Sequence, residues 1–159
     1  MGFLVADSGP LIALGIADLI PIAASIYQPL IVPEAVLNEC LHDASRPAAA
    51  QIKAALTQGH IIRVETEALE SQSADIGAGE ASVIQYAKAH KLTAILDDRR
   101  AIATARRLGV ALVRSGALVL DLKRISAITA IRPILDMWQA HGYFLSPEIR
   151  STLLEAAGE

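Results

Sequence analysis

Five acidic side chains stand in places where solubility alone does not call for them. Asp7 ends the apolar run Phe3-Leu4-Val5-Ala6, and Asp97 and Asp98 end Thr93-Ala94-Ile95-Leu96. Glu39 sits among Val36, Leu37, Cys40 and Leu41, near the apolar face of a helix-like segment. Glu80 follows two glycines in Ile76-Gly77-Ala78-Gly79-Glu80-Ala81, where the lack of side chains lets the backbone approach a neighbour or a ligand closely. For any one of these acids a helix cap or a turn is the ordinary explanation. As a set they suggest chemistry. Clustered carboxylates raise one another's pKa values, and a hard divalent cation relieves that repulsion. Oxygen donors without a supporting set of Cys or His favour Mg²⁺ or Mn²⁺. Ions held in this way suit in-line hydrolysis of a phosphodiester.

Such a cluster needs a scaffold that brings distant residues to one edge. Short apolar runs alternating with helical segments predict one: strands over 3–6, 30–32, 60–64, 93–96 and 110–113. The intervening helices are expected over 10–17, 19–26 (capped by Asp18), 34–42, 48–57, 78–90, 99–108, 115–124 and 128–140, with a terminal helix opened by Ser146-Pro147-Glu148. Polar residues 65–77 read as a surface loop. The pattern implies right-handed crossovers and a three-layer α/β/α sandwich around a parallel sheet of four to five strands. In such sheets ligands bind outside the carboxyl ends of the strands, where Asp7 and Asp98 would converge.

The bulk composition agrees. The 159 residues suit one domain, with a core about 3–142 and a helical tail about 146–156. Hydrophobic content is 53% but aromatic content only 4%, so Ala, Leu, Ile and Val must fill the core. A net charge of −3 argues against nucleic-acid binding through overall positive charge, yet permits an acidic site that reaches phosphates through metal ions. The lone Cys40 forms no internal disulfide and fits a reducing compartment, and no run approaches the roughly 20 apolar residues of a membrane span. The expectation is a cytoplasmic protein with no membrane association.

Four ordered segments carry a family resemblance. Val5-Ala6-Asp7-Ser8-Gly9-Pro10-Leu11-Ile12, Val32-Pro33-Glu34-Ala35-Val36-Leu37-Asn38-Glu39, Gly79-Glu80-Ala81 and Ile95-Leu96-Asp97-Asp98 together resemble the PIN domain. Within it they are similar to the bacterial and archaeal branch that includes VapC-type toxins. Likeness continues through Arg106-Arg107-Leu108-Gly109-Val110 and Ser115-Gly116-Ala117-Leu118. The resemblance implies a Mg²⁺- or Mn²⁺-dependent ribonuclease acting on single-stranded RNA, in many members the toxin of a toxin–antitoxin pair, with an antitoxin partner and a homodimer. Carried over, Asp7, Glu39 and Glu80 take the first three acid positions. Asp98 suits the fourth, with Asp97 in competition, and Ser8 is the hydroxyl that supports Asp7. Glu80 replaces the usual Asp, and Leu96-Asp97-Asp98 replaces a T-x-D ending, which removes a hydroxyl near the site.

Other residues have plainer explanations. Arg99, Arg100 and Arg114, with Arg106 and Arg107, suit phosphate contacts, or equally a solvated helix face with ordinary ion pairs. The four histidines lack ligand spacing, Cys40 reads as core, and Trp138 and Tyr143 read as packing. Two further readings stay open: a PIN-like interaction module without catalysis, and a phosphoryl-transfer enzyme with Asp7 as nucleophile. The second lacks the Lys or Ser/Thr phosphate partner expected at a strand end.

Overall fold

A computed structural model describes residues 2–67 and 75–159. Part of the loop expected over 65–77, residues 68–74, lies outside the described residues. The strands are β1 (Leu4–Ala6), β2 (Leu30–Pro33), β3 (Ile61–Val64), β4 (Thr93–Ile95) and β5 (Leu112–Val113). The first helices are α1 (Ser8–Ile16), α2 (Ile20–Tyr27), α3 (Glu34–Leu41) and α4 (Ala49–Thr57). They are followed by α5 (Ala78–His90), α6 (Arg99–Arg107), α7 (Ser115–Arg124), α8 (Arg132–Ala140) and α9 (Pro147–Ala157). All strand pairings are parallel, in the order β3-β2-β1-β4-β5. The expected α/β sandwich is therefore present, with five strands.

That order decides where the site can be. The chain builds outward from β1 to β2 and β3, then returns to the other side of β1 for β4 and β5. The reversal falls between β1 and β4, and a crevice opens at such a switch point. The register pairs Ala6 with Ile95, and the ladder runs on past the strand ends: Asp7 N–H donates to the Ile95 carbonyl at 3.2 Å, and Leu96 N–H to the Val113 carbonyl at 3.1 Å. Asp7 and Asp97 thereby leave adjacent strands at the same edge.

Val5, Ala6, Leu30, Val32, Ala94, Ile95 and Leu96 are buried, as continuous apolar strands covered on both faces should be. α1 packs against α2, α3, α4, α7 and α8, while α5 packs on α6 and against β1, β2 and β4. Leu11, Leu14 and Ile20 are fully buried, so α1 and α2 serve mainly as core. Trp138 is also fully buried and donates its indole N–H to the Ala13 carbonyl at 2.7 Å, which ties α8 to α1.

Three local expectations need correction. Asp18 does not cap α2. It adopts φ 54° and closes α1, with Leu19 N–H reaching back to the Leu14 carbonyl, a role Asp tolerates because it enters the left-handed region more readily than most residues. The helix expected from 128 starts at Arg132, because Pro133 disfavours helical backbone at the residue before it and is accommodated only in the first turn. The fifth strand is confined to Leu112–Val113. The terminal helix does form where expected: Ser146 Oγ accepts from Ile149 N–H at 3.2 Å, and Leu153 packs closely over Gly116 of α7. Among the described residues no single helix is long and apolar enough to cross a membrane.

Candidate functional site

Asp7 is the centre of the site. It follows β1, stands at the head of α1 and is only 4% exposed. Its Oδ1 is buried with no hydrogen-bond partner among the described residues. Burial pushes its carboxyl up to about 7 from an ordinary 3.8, and the charges of Glu80, Glu39 and Asp97 add to the rise. The Ser8 backbone N–H pulls the other way. The Ser8 hydroxyl makes no hydrogen bond to Asp7 among the described residues, and the Asp7 carboxylate accepts no side-chain cap bond from the start of α1.

Glu39 comes from the last turns of α3 and is exposed rather than turned toward the buried face. α3 lies against α5, and the Glu39 carboxylate passes directly over Gly79, where a β-carbon would stand 3.0 Å from its Cδ. The two-glycine approach to Glu80 thus has a specific use: Gly79 leaves room for the carboxylate of another helix. Replacing Gly79 by Ala is expected to leave folding unchanged or to improve it by up to about 1 kcal/mol, because Ala is the better helix residue and the Glu39 tip can swing away. If Glu39 serves the site, hydrolysis should fall by about tenfold or more, as when a group that holds a metal ligand is removed. Urea unfolding and a cleavage assay on the same protein check both halves.

Glu80 occupies the first turn of α5, where its Oε2 accepts the Gly77 N–H at 2.6 Å. This is the carboxylate half of a capping box, with glycine in place of the usual hydroxyl residue. Its charge still bears on Asp7.

The structure separates the two adjacent acids: the charge of Asp97 bears on Asp7, whereas Asp98 caps a helix. Asp98 is exposed and caps α6: its Oδ1 accepts Arg100 N–H at 2.9 Å and Ala101 N–H at 3.0 Å. Asp97 is half-buried, and its charge is felt at Asp7. Its Oδ1 accepts Ser115 N–H at 3.0 Å, and its Oδ2 accepts the hydroxyls of Ser115 and Tyr143. Burial and the charge of Asp97 raise the Tyr143 phenol well above its usual range, so it remains a donor.

Ser115 and Tyr143 are the residues that sequence reasoning missed. Together they hold Asp97 with their hydroxyls. Ser115 was legible in principle, since it follows the fifth strand at the same edge. Tyr143 had no such signal, because it arrives from the α8–α9 connection, where its ring packs edge-on to Trp138 at 5.2 Å. Cys40 is core as expected: burial first, then Glu39 and Asp7, push its thiol up to about 12, which leaves it unreactive.

Asp7, Glu39, Glu80 and Asp97 thus share one electrostatic neighbourhood at the switch point. Among the described residues no three such side chains are drawn together tightly enough to ligate an ion outright. The donor set nevertheless fits a hard divalent cation: it is all oxygen, it carries excess negative charge, and the buried Asp7 Oδ1 lacks a partner. Of the cations nearby, Arg99, Arg100 and Arg114 are exposed, and none is in an ion pair among the described residues.

The family model described as DUF3368, PIN domain, matches residues 3–159. No curated protein is significantly similar in sequence. Among solved structures, the chain is similar to a PilT N-terminus domain protein, SSO1118, from the hyperthermophilic archaeon Sulfolobus solfataricus P2. Identity is 18%, the alignment covers 71% of this chain and 87% of that one, and the TM-score is 0.52. At that identity the likeness speaks for the fold. PIN domains are in general a metal-dependent nuclease fold that uses divalent ions. With the match spanning nearly the whole chain and the acids gathered at the sheet edge, this protein belongs to the PIN domain family.

Proposed function

We propose that this chain is a Mg²⁺- or Mn²⁺-dependent endoribonuclease that hydrolyses phosphodiester bonds of single-stranded RNA. The observation that carries the reading is the buried, unpartnered Oδ1 of Asp7 at the switch point, with three further carboxylates bearing on it. Asp7, Glu39, Glu80 and Asp97 would hold the metal, and Asp98 organises the start of α6 beside them. When bound, such ions activate water and offset charge on the attacking and leaving oxygens. The chain's own residues prepare for that. Ser115 and Tyr143 fix the orientation of Asp97, and Gly79 leaves Glu39 its place. Arg99, Arg100 and Arg114 bind substrate phosphates, which offsets the repulsion between RNA and an acidic protein.

Purified protein incubated with a broad pool of single-stranded RNA and Mn²⁺ should cut it, and EDTA should stop the cutting. Intact RNA under these conditions would overturn the assignment. The Arg100→Ala protein should bind RNA about 5- to 20-fold more weakly whatever the sequence, and the slope of log affinity against log salt should drop by about 0.7. Fluorescence anisotropy at several salt concentrations measures both.

A second reading is an interaction module that does not catalyse. Its support is that Glu80 is engaged by the Gly77 N–H rather than drawn toward the other acids. The cleavage assay separates the two readings. The toxin role, with an antitoxin partner, a cytoplasmic setting and a homodimer, extends the first. A short upstream gene encoding a DNA-binding partner that suppresses cleavage would support it.

A further inference from the structure

Arg100, Ala103, Thr104 and Arg107 of α6, together with Asp75 from outside that helix, line one cleft of about 460 Å³. The spacing i, i+3, i+4, i+7 puts these four on a single helix face. Ala103 and Thr104 are small, so a trough is left between the two guanidinium-bearing residues. α6 starts beside Asp97 and Asp98, and Arg107 lies seven residues farther on, about 10 Å along the axis. The cleft therefore leads away from the acidic edge down the flank of the domain. Neither Arg100 nor Arg107 is in an ion pair among the described residues.

We propose that this cleft is a subsite for the RNA strand flanking the scissile bond, with Arg100 and Arg107 contacting backbone phosphates in turn and Asp75 accepting a ribose 2′-hydroxyl. The inference rests on the ribonuclease reading and deepens it. Two arginines separated by two helical turns match a backbone that crosses the helix face, and Arg is suited to phosphate by its forked donors. Asp75 would repel a phosphate placed directly against it, so its place is opposite the sugar. A 2′-hydroxyl is a donor that DNA lacks, and a carboxylate there favours RNA. The substrate is thus a strand of several nucleotides on one side of the cut, rather than a dinucleotide.

Length dependence tests this directly. Single-stranded oligouridylates of 2 to 12 nucleotides would be bound to the Asp7→Asn protein and cut by the otherwise wild-type chain. Affinity should climb once the strand is long enough to reach Arg107. Arg107→Ala should remove that increment, weakening long RNAs about 5- to 20-fold and leaving the shortest unchanged, while Arg107→Lys restores part of it. In cleavage the loss should appear in KM, with kcat unchanged. Asp75→Asn should narrow the preference for RNA over the matching 2′-deoxy strand by about fivefold.

Equal effects of Arg107→Ala at all lengths, or none at any, would overturn the proposal. So would an Arg107→Ala protein whose only change is its state of association, since that would make the cleft a protein contact. Cutting with a KM indifferent to Arg107 removes the subsite alone. RNA binding with the expected length dependence but no cutting removes the ribonuclease reading and leaves the cleft.

Discussion

The Asp7→Asn protein should lose hydrolysis by at least two orders of magnitude and yet, freed of metal, be more stable than the wild type above pH 7. The stability half follows from linkage. The native carboxyl holds its proton up to about 7, whereas in the unfolded chain it releases it near 3.8. Between those values the native state binds the extra proton, so stability declines as pH rises through the window, and above it the full penalty is present. A shift of this size corresponds to at most about 4 kcal/mol. Asn avoids the charge but leaves a buried amide short of partners, which costs about 1–3 kcal/mol. The net gain at pH 8 is therefore expected to be of the order of 1–3 kcal/mol, and below pH 4 it should become a loss of similar origin, because there the wild-type carboxyl is neutral too.

Divalent ions should reverse the ranking. Mn²⁺ at a hundred times its dissociation constant would stabilise the wild type by about 2.7 kcal/mol and the variant hardly at all. Urea unfolding from pH 4 to 8, with EDTA or with Mn²⁺, reads all of this together. A variant that still cuts RNA, and whose stability follows the wild type at each pH, would remove Asp7 from the site.

Two neighbours in the chain should behave oppositely. Asp97→Asn is expected to cost about a hundredfold or more in cleavage with a small change in stability, since the amide oxygen can keep the Ser115 N–H while the amide NH2 donates to the Ser115 and Tyr143 hydroxyls, which can turn to accept. Asp98→Ala should cost about 1 kcal/mol, the worth of an N-cap, and lower the melting temperature by about 2–4 °C while leaving most of the activity. The converse result, with Asp98→Ala inactive and Asp97→Asn active, would restore the assignment suggested by sequence. Tyr143→Phe offers a finer check: it removes one donor to Asp97 and keeps the ring against Trp138, so activity should fall about 10- to 100-fold with the fold intact.

The chain order of strands and helices was legible because apolar runs and caps are local properties. Val5-Ala6 before Asp7, the Gly-x-Gly before Glu80, and Ser146-Pro147-Glu148 before the last helix each act within a few residues of themselves. Asp7, Glu39 and Glu80 could be selected in the same way, as acids in apolar or glycine-rich surroundings. The boundaries that failed have separate causes: Asp18 closes α1 in the left-handed region instead of capping α2, and Pro133 confines the start of α8 to Arg132.

Tertiary structure decided the rest. Asp97 and Asp98 are adjacent and chemically identical, and only the start of α6 and the arrival of Ser115 and Tyr143 assign one to the neighbourhood of Asp7 and the other to a helix cap. Gly79 beneath Glu39 and the Arg100–Arg107 cleft likewise depend on which helix lies beside which. Sequence by itself determined the layered α/β fold and the residues able to carry charge to its edge, since periodicity and caps are written within a turn or a strand. Which carboxylate is held, and by whom, depends on contacts between residues 18 and 46 positions apart in the chain. Contacts across such distances form only when the core packs, and no local pattern encodes them.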